Sequence, residues 1–384
     1  MDALFEHAPP IRIQQRFGLV KPDNLNIKRR VLLFVLVVWG PLVLLALLQS
    51  VVLGTDDLMS LLGHVRTHAA YLVTGPLLIF AESVCAPRLS AVVRHCAGSD
   101  IIAESGRGRF DDAIRSTRRL LESPGAEIGA ITLAYVTVLM ALLSTPPEQL
   151  PDWGTVDGGA STYSPVGWWN IAVSLPLLLI LIIGWIWRVA LWTRLLWLIS
   201  RLDLVLVASH PDRCAGLSFL GRSVGAFWIV ALAFGVMVAG ESVQVELETG
   251  ELARVLVYVD VVLVLMIVAM FAAPMLVFTP MLTRTWRRGT FEYGALAQRL
   301  GQSFERKWLD SDAALDEGAL CQPDFSATAD LYAVVSNVHA IHLVPIGLKD
   351  LSALVLATSL PFVPVLLLAA PVTVIWMHIK GLLL

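Results

Sequence analysis

The chain is 384 residues long, 57% hydrophobic and only 15% charged, with a mean hydropathy of +0.73. That is more apolar material than a soluble domain of this length needs for a core, so the composition excludes a soluble globular protein and makes the bilayer the solvent. The formal net charge of −3 says little, because the charges are sorted by side of the membrane.

The chain opens on a polar leader, residues 1–30, in which Pro9, Pro10 and Pro22 interrupt any sustained period. It predicts an irregular cytoplasmic arm. Seven apolar runs follow, at 31–53, 69–86, 128–144, 168–187, 224–245, 255–278 and 353–377, close to the roughly 20 residues a spanning helix needs. Lipid cannot satisfy free backbone groups, so each run is expected to be helical. Of the 28 Lys and Arg residues, 25 lie in the leader and in alternate gaps between the runs. The positive-inside rule then puts the N-terminus in the cytoplasm and the C-terminus outside. The first run follows Lys28-Arg29-Arg30 and has no small-residue cleavage site behind it, so it reads as a signal anchor. The fold class is all-α, a polytopic transmembrane bundle of about seven spans. It divides into an arm (1–30), spans one to six (31–282), a cytoplasmic helical subdomain (283–350) and a Pro-rich final span with the C-terminus (351–384).

In the first inside loop, Phe110, Ala113, Ile114, Thr117, Leu120 and Leu121 recur at helical spacing opposite charged residues, predicting an amphipathic helix over 110–122. Asp111 with Arg115, and Arg118 with Glu122, are i,i+4 pairs, and Ser123-Pro124-Gly125 ends the helix. The fourth span continues past the membrane through Arg188, Arg194 and Arg201, with tryptophans at both boundaries. The sixth runs on from Thr283 to Trp308 with a stripe of Leu296, Leu300, Phe304 and Trp308. After an acidic turn at 310–317, a further helix is expected over 327–342 with Leu331, Val335, Val338 and Ile341 on its apolar face. Pro41, Pro76, Pro176, Pro274, Pro361, Pro364 and Pro371 fall inside spans, where each removes a backbone hydrogen bond and bends its helix. Cys85, Cys96, Cys214 and Cys321 fall on or near the cytoplasmic side without C-x-x-C spacing, and are expected to be reduced thiols.

Intramembrane acids ask for an explanation. A carboxylate at that depth costs about 2.5 to 3.5 kcal/mol unless it meets water or a partner. Asp260, among valines of the sixth span, and Glu82, in the inner half of the second, have no local base. One reading makes Glu82 and Asp260 a polar path, with Glu241 at its outer mouth and Arg188 tuning its inner end. The other makes Glu82 and Arg188 a structural ion pair, leaves Asp260 protonated or capped by a neighbouring helix, and sets Glu241 at the interface. The outer loops are acidic, with Asp56, Asp57, Glu148, Asp152, Asp157, Glu246, Glu248 and Glu251 against Arg66 and Arg254. That rim either concentrates cations or follows by default from keeping bases inside.

The loop after the fourth span reads Ser209-His210-Pro211-Asp212-Arg213-Cys214, a capped turn with Pro211 at a first helical position. It leads into Gly216-Leu217-Ser218-Phe219-Leu220-Gly221. This stretch, with Val344-Pro345, Lys349-Asp350-Leu351 and the Pro-rich end, resembles one in uncharacterised bacterial polytopic inner-membrane proteins. The resemblance covers about 70 residues, implies a multi-pass protein of the bacterial inner membrane, and brings no activity with it. His210, Asp212 and Cys214 have metal-ligand chemistry, as do His339 and His342, but nothing in the sequence requires the two segments to meet, and no metal or cofactor is assigned. Arg115, Arg118 and Arg119, with Arg107 and Arg109, offer a surface to anionic lipid headgroups or serve as ordinary positive-inside charge. Gly221-x-x-x-Gly225 and Ala231-x-x-x-Gly235 allow close helix packing.

The lysines lie outside the centres of the spans, which argues against a retinal Schiff base, and no motif for zinc proteolysis, serine hydrolysis or ATP binding occurs. A non-enzymatic channel or secondary transporter, oligomeric and carrying a small ion, is the leading expectation. A membrane scaffold or sensor binding a cytoplasmic protein partner follows, then an interfacial enzyme using the His210 turn. Membrane lipids are expected partners and nucleic acid is not.

Overall fold

The computed structural model describes residues 26–144, 151–156, 163–249, 255–309 and 324–369. The arm up to residue 25, the acidic turn from Asp310, Glu148, Asp157, Glu251, Arg254, Cys321, Pro371 and Lys380 lie outside the described residues. The described residues are 85% helical, and no strand forms among them. Among the described residues six helices are long and apolar enough to cross a membrane: Ile27–Leu53, Val65–Gly98, Pro124–Ser144, Pro165–Ser200, Ser218–Glu248 and Val257–Trp308. A pair bent by 43°, Leu348–Ser359 and Phe362–Leu368, makes a seventh. These are spans 1 to 7 below.

Prolines coincide with changes of helical pitch. Span 1 breaks at Trp39, just before Pro41. Spans 2 and 4 each contain a π-helical turn, Ala69–Thr74 and Asn170–Ser174, directly ahead of Gly75-Pro76 and Leu175-Pro176. Span 6 passes through a 3-10 segment, Ala273–Phe278, that contains Pro274. Proline has no N–H to give and its ring crowds the carbonyl four residues back, so a widened or tightened turn relieves the conflict. Pro87 departs from this pattern and lies inside the regular helix Gly75–Gly98, which continues past the apolar run expected to end at residue 86.

Span 5 is central and span 1 peripheral: 67% of the apolar window of span 5 is buried against 17% of that of span 1. The core is filled by Trp185 and Trp192 of span 4, Phe227 of span 5, and Phe271 and Phe278 of span 6, all nearly inaccessible. Phe227 and Phe271 stack at 4.6 Å. Span 7 lies against span 5, and two glycines permit it. A Cβ on Gly221 would stand 2.6 Å from the Pro345 carbonyl oxygen, and one on Gly225 would stand 2.6 Å from Asp350 Oδ1. The small-residue pattern on span 5 therefore serves packing within the chain.

The amphipathic helix runs Glu104–Leu121, starting earlier than its apolar periodicity indicates, and buries Phe110, Ala113, Thr117 and Leu121. It lies against span 4, where Arg194 donates to Ser116 Oγ at 3.1 Å. Arg115 pairs with Asp112, at i,i+3, in place of the expected Asp111. The last stretch of span 6, Thr279–Trp308, and the following helix Asp324–His339 form a hairpin closed by Phe304, Trp308 and Phe325. The loops at this end interlock: the Val205 N–H donates to the Ile101 carbonyl at 2.7 Å, the His342 N–H to the Arg213 carbonyl at 2.7 Å, and the Tyr293 hydroxyl to Ser209 Oγ at 3.1 Å. Among the described residues Arg66 is the one Lys or Arg at the other end of the bundle. The two ends are therefore called basic and opposite.

Candidate functional site

Two cavities open at the two ends of spans 2 and 5. The larger, about 990 Å³, lies at the basic end. Span 2 contributes Arg88, Val92, His95 and Ser99 at i, i+4, i+7 and i+11, one face of a helix. Span 5 contributes Arg222, Gly225 and Trp228, and span 7 contributes Asp350 and Ala353. The loop between spans 4 and 5 closes the wall with His210 and Asp212, among others, and Phe219 at the start of span 5 joins them. Segments more than a hundred residues apart thus meet around one cavity: the His210 turn with Gly216, Ser218 and Phe219 just after it, and Asp350.

Asp212 holds that loop in shape. Its carboxylate accepts the N–H groups of Cys214 at 2.9 Å, Ser218 at 3.0 Å and Gly216 at 3.1 Å, and stands 2.8 Å from His210 Nδ1. Burial of the carboxyl opposes its ionisation, but these donors outweigh burial and hold it below the ordinary aspartate range. They also stabilise the left-handed backbone of Arg213, Ala215 and Gly216. Cys214 is buried beside Asp212, and burial with that negative charge pushes its thiol up to about 11. His339 ends the helix whose next turn meets this loop. Among the described residues no three His, Cys, Asp or Glu side chains stand close enough to hold a metal ion.

The second cavity, about 510 Å³, lies at the opposite end. It is bounded by both π turns, through Ala70 and Tyr71 on one and Asn170 and Ile171 on the other, and by Met237, Val238 and Glu241 of span 5. Tyr71 donates to Asn170 Oδ1 at 2.6 Å, joining the two turns. Arg66 and Glu241 form a half-exposed ion pair at its edge. Trp153, only 2% exposed, forms part of the wall and meets His64 edge to face at 5.8 Å. Its indole N–H has no acceptor among the described residues. Burial first, then the Arg66 charge, pushes His64 down to about 4, so the ring is neutral near pH 7.

The remaining intramembrane acids are engaged elsewhere. Glu82 sits between two arginines, with Arg30 of span 1 at 2.5 Å on Oε2 and Arg188 of span 4 at 2.5 Å on Oε1, all three side chains 4 or 5% exposed. Arg188 also lies over the Trp185 ring at 4.7 Å. Asp260 accepts a 3.1 Å hydrogen bond from Ser359 of span 7. Sequence reasoning singled out Glu82, Arg188, Asp260 and Glu241 but did not bring in Arg30, which reads as an interfacial flank, or Tyr71, Asn170 and Trp153, which have no motif. Pro76 and Pro176 were the available signal for the two π turns.

Fold and composition define the class: a polytopic α-helical membrane protein. Comparison of the chain with protein families, curated proteins and solved structures returned no match.

Proposed function

We propose that the chain is a secondary transporter for a small ion or polar solute, set in the bacterial inner membrane with its basic end in the cytoplasm, and that its cargo occupies the opposite-end cavity. The observation that carries this is the pair of facing π turns joined by Tyr71 and Asn170. Widened turns leave carbonyls off the regular ladder, and in membrane proteins such backbone is tolerated where it lines a cavity. Interrupted helices of this kind are where many carriers bind cargo. Between this cavity and the basic end, spans 2 and 5 are packed shut. Thr74 Oγ1 donates to the Ala233 carbonyl at 3.2 Å and Cys85 Sγ to the Ala226 carbonyl at 3.0 Å. A closed seam favours a carrier that rearranges over a standing pore. Of the intramembrane acids, Glu241 is the one that lines this cavity.

The test is flux into proteoliposomes under Na⁺, K⁺, H⁺ and Cl⁻ gradients. A carrier shows saturable flux that is accelerated by the same ion on the far side and weakened by Glu241→Gln. Absence of flux under every gradient would remove this reading. The alternative then is a scaffold that captures a protein through the hairpin at the basic end, where Phe291 is 79% exposed and Leu296 and Tyr332 are also exposed. Capture would survive Glu241→Gln and be lost in Phe291→Ser.

A further inference from the structure

The basic-end cavity is independent of the transport reading, and its chemistry is different. Six ionisable side chains line it: Arg88, Arg222, His95, His210, Asp212 and Asp350. Asp212 is saturated by three backbone amides and His210, so its lone pairs are directed into its own loop. Asp350 faces Arg222, which acts on it electrostatically without a direct ion pair between them. Among the described residues Arg88 makes a single 3.5 Å contact, with the Gly225 carbonyl, at the limit of a hydrogen bond. Two guanidinium forks from neighbouring spans therefore face a common space with most of their donors not taken up by the described residues. His95, whose ring lies tilted against Phe219 with centroids 4.4 Å apart, adds a further donor at the wall.

The rest of the lining is mostly apolar and includes Val92, Ile101, Val205, Val207, Phe219 and Trp228. A cavity that sets two arginine forks among apolar side chains suits an anion attached to hydrocarbon. A carboxylate, with two oxygens, occupies one fork, whereas a phosphate monoester has three terminal oxygens to accept from two forks and an imidazole together. The volume of about 990 Å³ is also generous for a small carboxylate, and sits at the top of the range for ligand-sized pockets. The site lies at the helix ends that carry the basic residues, the level at which headgroups meet protein, and basic pockets between spans are a known form of headgroup site. The geometry points to a binding site for a phosphate monoester with an apolar tail, held by Arg88 and Arg222 between spans 2, 5 and 7. This site is separate from the exposed arginines of the amphipathic helix.

Native mass spectrometry of the purified full chain, given phosphatidic acid or phosphatidylcholine, tests the assignment. The parent is expected to retain one phosphatidic acid in preference to phosphatidylcholine, whose phosphodiester offers only two terminal oxygens. Retention should weaken about tenfold or more in Arg88→Gln/Arg222→Gln and persist in Arg115→Gln/Arg119→Gln. Glycerol 3-phosphate separates the two sources: if it displaces the lipid, the phosphate group alone is recognised and a soluble ester qualifies, and if it does not, the ligand is the membrane lipid. Equal retention of both lipids by the parent, or undiminished retention in the double Gln variant, overturns the proposal. Should that variant fail to fold, Arg88→Lys/Arg222→Lys keeps the charge but loses the forks, and unchanged retention there is equally decisive against it.

Discussion

Glu82 shows how a costly residue is made tolerable. A lone carboxylate in the core of a bundle is expensive, but here each oxygen meets a guanidinium, and the two arginines come from spans 1 and 4. The carboxylate thereby ties three spans together. Glu82→Gln leaves two buried cations without a counter-charge, a change that typically costs about 3 to 5 kcal/mol. It should lower the thermal midpoint in detergent well beyond Asp112→Asn, which disrupts only an exposed pair, and an unchanged midpoint would mean the triad contributes little. Asp212 works at the same scale on a loop. Its folded pKa lies below its unfolded one, so its contribution is complete above the ordinary aspartate pKa of about 3.9 and is lost as pH falls through the lower folded value. Amide exchange at Cys214, Gly216 and Ser218 should accordingly stay slow from neutral pH down to that range and quicken below it. Asp212→Asn should quicken it at neutral pH. The same variant removes one of the two causes that raise the Cys214 thiol, so maleimide labelling of Cys214 should speed up, and labelling no faster than in the parent would show that the loop is held by something else.

At the scale of elements, the seam between spans 5 and 7 gives a graded prediction. The Cβ of Gly221→Ala meets a backbone carbonyl, which cannot move without displacing the start of span 7, whereas that of Gly225→Ala meets the end of the Asp350 side chain, which can rotate away. Overpacking typically costs about 1 to 3 kcal/mol. Gly221→Ala should fall in that range, Gly225→Ala below it, and Gly40→Ala, with nothing within 4 Å of its Cβ, should be near neutral. Unfolding in detergent compares them, and the reverse order for the first two would place the constraint elsewhere. Several elements were legible in the sequence because their signal is periodic or compositional: the apolar runs, the Phe110 face of the amphipathic helix, and the breaks at Pro41, Pro76, Pro176 and Pro274. The kind of break was not. Spans 2 and 4 meet their prolines with a π turn and span 6 with a 3-10 segment, although each of these prolines sits in an apolar run.

At the scale of the whole molecule, what the sequence could not show is what comes together from far apart. Glu82 visibly needed a cation from another helix, and Arg188 was at a suitable depth, but Arg30 joins them only because span 1 lies against span 2. Likewise the His210 turn and Asp350 became a single cavity wall only through the packing of span 7 on span 5. Charge sorting, by contrast, is a global property readable from the sequence, and the bundle carries it through: the loops after spans 2, 4 and 6 interlock at one end, and Arg66 stands at the other. The insertion machinery retains short basic loops in the cytoplasm, so the charge sorting predicts a cytoplasmic basic end. A membrane-impermeant maleimide applied to intact cells should label Asp56→Cys, an exposed position at the opposite end, and spare Asp111→Cys, exposed on the amphipathic helix, until the membrane is opened. The proposals for both cavities depend on this. If Asp111→Cys were labelled first, the cavity with two arginine forks would face the outer leaflet, and the cargo cavity between the π turns would open to the cytoplasm.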